Sequence, residues 1–241
     1  MEETPQQPSN TESTQRDCFR WREADAYLFD IDGTLLLSPD RTHRYALHRA
    51  LLDVYGVETT IDGIPYHGKT DPGILRAALE RLNISAEVID SRMPAALEVV
   101  RLDATEKADR FRPNVLPGIR DLVALLKDSG KLLGICSGNL EAVARLKVKA
   151  AGLADYFAFG CFADQFELRV DVFRQGMKEV ASRLGPAAKV CFIGDTPEDV
   201  RAAQGAGGHI IAVGTGIFKV EDLAAHNPDA AVVTCAELLT L

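Results

Sequence analysis

Asp30 and Asp32 have the residue type and the spacing for covalent chemistry assisted by acid–base catalysis. They end an apolar run that starts at Ala26, and they precede Gly33, where the chain can turn. Two carboxylates spaced in this way can reach one reacting centre from different sides. One can act as a nucleophile, and the other can give a proton to a leaving oxygen and later take one from water.

A second acidic pair, Asp195 and Asp199, follows a later apolar run that ends at Gly194. If both pairs meet at one edge of a sheet, four carboxylates lie close together and raise one another's pKa. Mg²⁺ removes this conflict, because its preferred ligands are a few carboxylates, several waters and a substrate phosphate. The sequence therefore predicts a Mg²⁺ site at Asp30, Asp32, Asp195 and Asp199.

Donors for phosphoryl oxygens stand next to these acids in the sequence. Ser137 follows the apolar run 131–136, and its hydroxyl can donate to a phosphoryl oxygen. Consecutive backbone N–H groups can form a nest that binds an anion. The candidate residues for such a nest are Gly33, Thr34, Gly138 and Asn139.

The chain as a whole is acidic. Its 241 residues carry a formal net charge of −8, which disfavours nucleic acid and anionic membranes as partners and also repels phosphate esters. A phosphate site must therefore supply its own cations. The sequence contains neither an apolar run of membrane-spanning length nor a secretory signal, and its five cysteines are widely spaced. We expect free thiols and a cytoplasmic monomer or homodimer that binds a small molecule.

Apolar runs typical of buried parallel strands alternate with helical patterns along most of the chain. The runs are 26–31, 131–136, 156–162, 189–194, 208–213 and 230–233, and the helical patterns are 118–128, 140–150, 171–184 and 197–206. This alternation predicts an α/β fold with a doubly wound parallel sheet and helices on both faces. Ligands bind such sheets at the carboxyl ends of the strands, where the acids and Ser137 stand.

The segment 41–113 shows helical patterns only. They cover Thr42–Tyr55, a helix for which Asp71 is the expected N-cap before Pro72, and 86–109, where we expect Pro94 to interrupt the helix. A connection of this length between two strands is far longer than usual. We therefore expect an inserted helical domain at 41–113, a core domain formed by 21–40 and 114–241, and a disordered polar tail at 1–20.

Three motifs resemble those of the haloacid dehalogenase-type phosphatases: DIDGTLL at 30–36, CSGN at 136–139 and GDTPEDV at 194–200. The likeness covers about residues 25–233. It implies a Rossmann-like core, a helical cap, and Mg²⁺-dependent hydrolysis of a small phosphorylated metabolite of the phosphoglycolate or sugar-phosphate kind. The stretch GKTD at 68–71 is similar to the cap loop that approaches the substrate in phosphoglycolate-phosphatase-like members, so Lys69 is a candidate substrate-binding residue.

The resemblance also implies a role for each acid. Asp30 would be the nucleophile and Asp32 the acid/base. The Mg²⁺ ligands would be the Asp30 side chain, the Asp32 backbone carbonyl and Asp195, and Asp199 would hold the metal or its waters. Ser137 would bind the phosphate.

One motif departs from the family pattern. The family usually has a lysine at the start of the helix before the last motif, and the chain has Arg169 there. One Mg²⁺ contributes only two positive charges to a pocket with four carboxylates and a phosphate, so a further cation beside Asp30 is expected. We predict that Arg169 fills this role, with Lys178 as the rival.

Two other functions stay open at this point. A sugar-phosphate mutase would use the same intermediate and return the phosphate to its substrate, and a catalytically silent binding protein could have the same fold. A dehalogenase fits less well, because that chemistry needs neither a metal nor an acid two residues after the nucleophile. The five histidines show no metal-ligand spacing, so none is assigned to a metal.

Overall fold

Eight strands form two sheets in the computed structural model, which describes residues 19–240. The strands are β1 (Ala26–Phe29), β2 (Leu36–Leu37), β3 (Asn114–Val115), β4 (Leu132–Cys136), β5 (Phe159–Cys161), β6 (Val190–Gly194), β7 (His209–Val213) and β8 (Ala230–Val232). Six of them form one parallel sheet in the order β5-β4-β1-β6-β7-β8. The predicted doubly wound parallel sheet is confirmed.

Eight α-helices flank the sheet or form the insert. They are α1 (Thr42–Tyr55), α2 (Asp71–Glu80), α3 (Ala86–Glu106), α4 (Ile119–Asp128), α5 (Glu141–Ala150), α6 (Arg169–Leu184), α7 (Pro197–Ala206) and α8 (Val220–Ala224). Helices α4 and α5 cover one face of the sheet, and α6, α7 and α8 cover the other. Four of these five helices, α4 to α7, therefore lie where the sequence predicted them, within two residues at each end, whereas α8 was not predicted.

Strand β1 is buried on both faces. Tyr27 and Phe29 pack into the core below α4 and α5, whereas Ala26 and Leu28 pack into the core below α6 and α7. Burial on alternate sides explains why the run is apolar at every position rather than at every second one. Truncation of Phe29 to Ala would cost about 3–5 kcal/mol of unfolding free energy, because it opens a cavity in the centre of the sheet.

The central place of β1 positions the site. Phe29 is level with Ile135 of β4 and with Ile193 of β6. The residues that follow these strands, Asp30 and the segments from Ser137 and Asp195, therefore emerge side by side at the carboxyl edge of the sheet.

The insert (residues 41–113) contains α1, α2 and α3, which share an apolar core of their own. Leu140 and Val143 of the sheet domain also belong to this core, so they seat the insert on the rest of the molecule. The short antiparallel pair β2 and β3, which the sequence did not predict, brings the two ends of the insert together.

Three local expectations are wrong. Helix α3 is continuous through Pro94, which is exposed, so water can reach the Asp90 carbonyl that loses its helical donor. The N-cap of α2 is Thr70 rather than Asp71, because its hydroxyl accepts a hydrogen bond from Gly73 N at 3.1 Å. Helix α6 begins at Arg169 itself rather than two residues later.

Two further predictions concern the N-terminal tail and membrane-spanning segments. The predicted disordered tail at 1–20 lies outside the described residues except for Phe19 and Arg20, and the ring of Phe19 stacks on His209 at 3.7 Å. Among residues 19–240, no helix combines the length and the apolar character that a membrane span requires.

Candidate active site

Three buried carboxylates meet at the carboxyl edge of β1 and β6. Asp30, Asp195 and Asp199 each offer an oxygen, and these oxygens lie within 4.8 Å of one another. Asp30 extends β1 by one residue, because its N–H donates to Ile193 O at 3.0 Å. Asp195 directly follows β6, and Asp199 lies in the first turn of α7. The structure thus brings together three of the four acids in one buried cluster.

Gly33 makes room for the Asp195 side chain. Its φ is 90°, which side chains rarely adopt, and a Cβ there would lie 2.2 Å from Asp195 Oδ2. The neighbouring Thr34 is fully buried, and its hydroxyl donates to Asp195 Oδ1 at 3.1 Å. The structure therefore places Thr34 as a support for Asp195, away from the cavity, rather than among its lining residues.

Arg169 is the cation inside the acidic cluster. Its Nη2 lies 2.8 Å from Asp30 Oδ1 and 2.6 Å from Asp199 Oδ1, and its Nε donates to Asp199 Oδ1 at 2.7 Å. Its Nη1 donates to the Gly68 carbonyl of the insert at 3.2 Å. The rival, Lys178, is an exposed residue of α6. The guanidinium therefore joins the two acids to the insert at one buried point.

The cluster still carries excess negative charge. Burial, opposed by Arg169 and reinforced by Asp199 and Asp32, raises the pKa of Asp30 to about 6. Burial, with the charges of Asp199 and Asp30, raises the pKa of Asp195 well above its usual range. One guanidinium is therefore insufficient to balance the three carboxylates, because three negative charges face one positive charge.

Both oxygens of Asp199 already have donors. Oδ2 accepts from Thr196 N at 3.0 Å and from the Thr196 hydroxyl at 2.6 Å, and Oδ1 accepts from Arg169. Together with the hydrogen bond from Asp199 N to Thr196, this completes a capping box that starts α7. The contact of Asp199 with a metal stays a prediction, and its observed contacts are those of a residue that positions Arg169.

Asp32 lies outside this cluster, within a network that the sequence did not reveal. Its Oδ2 accepts from Lys147 Nζ at 2.6 Å and from Asn139 Nδ2 at 2.9 Å. Lys147 also donates to Asn139 Oδ1 at 2.7 Å and contacts His43 Nδ1 at 3.2 Å. Burial alone would raise the pKa of Asp32, but the charge of Lys147, the neighbouring His43 and the two hydrogen bonds hold it below its usual range.

A signal for Lys147 was present in the sequence. In α5 the buried residues are Val143, Ala144, Lys147 and Val148, which recur with helical spacing on one face. A lysine on the apolar face of a helix needs a buried partner, because an unpaired charge there is strongly unfavourable. His43 lacked such a signal, since it is one of several scattered histidines.

The predicted phosphate-binding residues after β4 lie under the insert. Ser137 is fully buried, and its Oγ accepts hydrogen bonds from the backbone N and Nδ2 of Asn139. Gly138 lies directly below the loop 66–70, because a Cβ there would be 2.4 Å from the Lys69 carbonyl. Asp71 N donates to Gly138 O at 2.7 Å, which fixes this loop on the core. Asn139 lines the cavity, whereas Ser137 and Gly138 do not.

A cavity of about 560 Å³ separates the acids from the insert. Asp30, Asp32, Gly33 and Asp195 belong to its core side. The insert contributes basic side chains to the facing wall: Arg41, His43, Arg44, His67 and Lys69. Arg44 pairs with Asp62, whereas Arg41 and Lys69 have no carboxylate partner among residues 19–240. The core side of the cavity therefore combines carboxylates with Arg169 and Lys147, whereas the side chains from the insert are mainly basic.

The carboxylate ligands of the cluster fit a Mg²⁺ ion. Asp195 has a single hydrogen-bond donor to its carboxylate among the described residues, Thr34, and the cluster has an excess of two negative charges. Hard oxygen ligands and a charge excess of this size are the conditions that Mg²⁺ favours. Asp30 and Asp195 would hold such an ion.

Comparisons with known proteins place the chain in one family. Residues 94–207 match the family model of the haloacid dehalogenase-like hydrolases. The chain is 30% identical over 220 residues to a probable phosphatase, IndB, of Dickeya dadantii, covering 88% of this chain and 90% of that protein. It is 25% identical over 228 residues to a phosphoglycolate phosphatase of Mesorhizobium japonicum, covering 88% of this chain and 95% of that protein.

Solved structures show the same fold. The crystal structure of CbbY from Rhodobacter sphaeroides in complex with phosphate superposes with a TM-score of 0.67 and 22% identity, covering 89% of this chain and 96% of that one. The haloacid dehalogenase-like protein SP0104 from Streptococcus pneumoniae superposes with a TM-score of 0.62 and 23% identity, covering 90% and 98%. The parallel sheet, the order of the three motifs along the chain and these relatives show that the chain belongs to the haloacid dehalogenase-like hydrolases.

Proposed function

We propose that this hydrolase is a Mg²⁺-dependent phosphatase that forms an aspartyl-phosphate on Asp30. The observation that supports it most is the geometry around Asp30. This carboxylate lies at the floor of the cavity with Arg169 at 2.8 Å, and Asp32 also lines the cavity. A nucleophile, a cation for the phosphoryl oxygens and an acid/base are thus present at one site.

In the first step, Asp30 attacks phosphorus. Its Oδ1 is paired with Arg169, so we assign the attack to Oδ2. The bond from phosphorus to the ester oxygen breaks, and Asp32 donates a proton to the departing alkoxide. Because the pKa of Asp32 is lowered, Asp32 must first take up this proton from solvent. The products of this step are the alcohol and a phosphoryl group on Asp30, while Arg169 stabilises the charge of the transferring group.

In the second step, water replaces Asp30 on phosphorus. Asp32, now a carboxylate, takes a proton from the water as the new oxygen–phosphorus bond forms. The bond between phosphorus and Asp30 breaks, inorganic phosphate leaves, and Asp30 returns to its carboxylate form. The lowered pKa of Asp32 favours the form that this step requires.

The residues that would hold Mg²⁺ are Asp30, Asp195 and the backbone carbonyl of Asp32. When bound, the ion would neutralise the carboxylates and polarise the phosphoryl group. We propose that Asp199 acts through Arg169 and Thr196, since its oxygens already have donors. Thr34 and Gly33 keep Asp195 in place.

The substrate that we propose is a small phosphate ester with a second polar or anionic group. The cavity of about 560 Å³ suits a small metabolite. Arg41 and Lys69 lie on the wall opposite the acids, where they can bind an anionic or hydroxylated leaving group. The names of the relatives, among them several phosphoglycolate phosphatases, support this class. The helical insert would then act as a cap domain over the substrate.

We also propose that the protein works in the reducing cytoplasm. Cys136, Cys161, Cys191 and Cys235 are all free and buried, and burial raises the pKa of Cys191 and Cys235. Thiols of this kind behave as small core residues. Cys18 lies outside the described residues.

Acid-quench mass spectrometry tests the proposal. The protein is mixed with 4-nitrophenyl phosphate and Mg²⁺, and the peptide containing Asp30 is examined for one added phosphoryl group. Asp30→Asn should lose nearly all turnover and the added mass, whereas Asp121→Asn, at an exposed position of α4, should retain both. Normal hydrolysis by a folded Asp30→Asn protein would contradict the mechanism.

A further inference from the structure

Lys147 is a lysine that is buried in the core without belonging to any of the three motifs. It lies in the middle of α5, and only 2% of its side chain is exposed. Its ammonium contacts Asp32 Oδ2 at 2.6 Å, Asn139 Oδ1 at 2.7 Å and His43 Nδ1 at 3.2 Å. These three contacts match the three hydrogens of an ammonium group.

The contacts fix the orientation of the Asp32 carboxylate. Oδ2 receives two donors, Lys147 Nζ from α5 and Asn139 Nδ2 from the loop that precedes α5. Within residues 19–240, Oδ1 has no hydrogen-bond donor, and Asp32 lines the cavity. One oxygen is therefore anchored while the other stays available for proton exchange with a leaving group.

The same ammonium connects Asp32 to the insert. His43, in the first turn of α1, accepts from Lys147 at Nδ1, and its Nε2 lies 3.0 Å from Asp71 Oδ2. A neutral imidazole with its proton on Nε2 satisfies both contacts. Asp71 Oδ2 also accepts from Leu140 N at 2.8 Å, so the chain of contacts returns to the core where α5 begins.

A packing role alone does not account for a charged group at this place. Desolvation of an ammonium costs several kcal/mol, and apolar residues of similar size often stabilise a core better. The head of Lys147 lies against the acid/base of the reaction and against the insert that covers it. These partners therefore indicate that Lys147 has a role at the active site.

We infer that Lys147 is a positioning residue that holds the Asp32 carboxylate towards the leaving-group oxygen only while the insert is seated on the core through His43 and Asp71. This inference rests on the proposed function, since it assigns Asp32 the acid/base role. Loss of Lys147 frees Asp32 to rotate, so protonation of the leaving group becomes inefficient. Attack on phosphorus by Asp30 does not need Lys147.

Leaving-group dependence distinguishes this role from a structural one. A leaving group that is a weak base departs without a proton, whereas a basic one needs the acid. The experiment measures kcat/KM with Mg²⁺ for a series of aryl phosphates, from 4-nitrophenyl phosphate to phenyl phosphate. For Lys147→Met we expect a loss of about threefold at the nitrophenyl end, growing to about 30-fold or more at the phenyl end.

Lys149→Met is the matched control. It makes the same change two residues along α5 at an exposed position, and it should follow the wild-type series. Lys147→Gln keeps a donor at the site and should recover part of the loss with phenyl phosphate. Melting temperatures of all variants show whether they fold.

The outcomes separate the inference from the proposed function. A folded Lys147→Met protein that keeps the wild-type slope, or that loses the same factor with every ester, overturns the inference alone. A wild-type protein that hydrolyses none of the esters overturns the phosphatase proposal and the inference with it. If the Lys147 variants do not fold, His43→Gln takes their place: it should steepen the slope in the same direction, and an unchanged slope overturns the inference.

Discussion

Nη2 of Arg169 lies 2.8 Å from Oδ1 of Asp30, and both side chains are buried. This contact occupies one oxygen of Asp30 and places a fixed positive charge where phosphoryl oxygens would gather. The same guanidinium also binds Asp199. Its planar fork lets one cation satisfy two carboxylates from different elements.

The first prediction follows from this geometry. Arg169→Ala should lower kcat by about 100-fold or more, because it removes a preorganised cation and leaves two buried acids without a counter-charge. Arg169→Lys should lose about tenfold, since a single ammonium cannot pair with Asp30 and Asp199 in the same fork. Steady-state kinetics with a generic aryl phosphate measures both.

Lys178→Ala is the control for this prediction. Lys178 is an exposed residue of the same helix, α6, and its loss should leave kcat near the wild-type value. If Arg169→Ala kept near-normal turnover while Lys178→Ala lost it, the cation would have been assigned to the wrong residue.

A second prediction concerns Asp195 and the metal. Burial and neighbouring acids raise the pKa of Asp195 well above its usual range, so its charged form destabilises the metal-free protein. At pH 8 and without metal, Asp195→Asn should raise the melting temperature by roughly 2–4 °C, which corresponds to about 1 kcal/mol for a chain of this size.

With Mg²⁺ present, the wild type should have a higher melting temperature than Asp195→Asn, which reverses the order expected without metal. It should raise the melting temperature of the wild type by mass action and should have little effect on Asp195→Asn. Chelator should stop hydrolysis by the wild type, and added Mg²⁺ should restore it. Equal stabilisation of both proteins by Mg²⁺ would place the metal elsewhere.

A third prediction concerns pH. The pKa of Asp30 rises from its ordinary value of 3.8 to about 6 in the folded protein, so the folded state binds the proton more tightly than the unfolded state. This carboxyl therefore contributes stability below about pH 4, and that contribution is lost as the pH rises through 6. The difference between the two pKa values corresponds to about 3 kcal/mol.

The comparison of wild type with Asp30→Asn tests this contribution. In metal-free buffer, the unfolding free energy of the variant minus that of the wild type should increase between pH 4 and pH 7 and then level off. The loss of the pairing with Arg169 shifts the whole curve, and Asp195, whose pKa Asp30 raises, adds a change of the same sign to the difference. A flat difference across this range would show that Asp30 has an ordinary pKa.

The sheet and its acids could be predicted because short-range patterns encode them. The apolar run before Asp30 is uninterrupted since β1 is buried on both faces, and Gly33 is required where Asp195 leaves no space for a Cβ. The turn at Gly194 and Thr196 likewise follows from the capping box of α7. Each of these features is visible as a pattern within a few residues, although the contact that requires Gly33 is with Asp195, which is distant in the chain.

The network around Lys147 could not be predicted in the same way. Its partners His43 and Asp32 stand 104 and 115 residues away in the chain. The packing of α5 on the sheet brings Asp32 to Lys147, and the seating of the insert brings His43 there. The pair β2 and β3 was missed for a similar reason, since each strand has only two residues and is defined by its partner. Long-range contacts of this kind leave little local pattern.

The last prediction concerns substrate choice by the insert. Lys69 lines the cavity from an exposed position, while its backbone is held against the core by the hydrogen bonds of Gly68 O and Asp71 N. Lys69→Met should therefore leave the fold intact and remove one positive charge from the wall that faces the acids. For an exposed ion pair the expected loss is about three- to fivefold, and it should appear for esters with an anionic leaving group, such as phosphoglycolate, but not for aryl phosphates. Lys178→Met, far from the cavity on α6, is the control and should leave the ratio of kcat/KM values unchanged. Asp71 is a poor choice for this test, because it is buried and accepts from Leu140 N, so its replacement would also disturb how the insert is seated. If Lys69→Met slowed both classes of ester by the same factor, the insert would not select substrates through this residue.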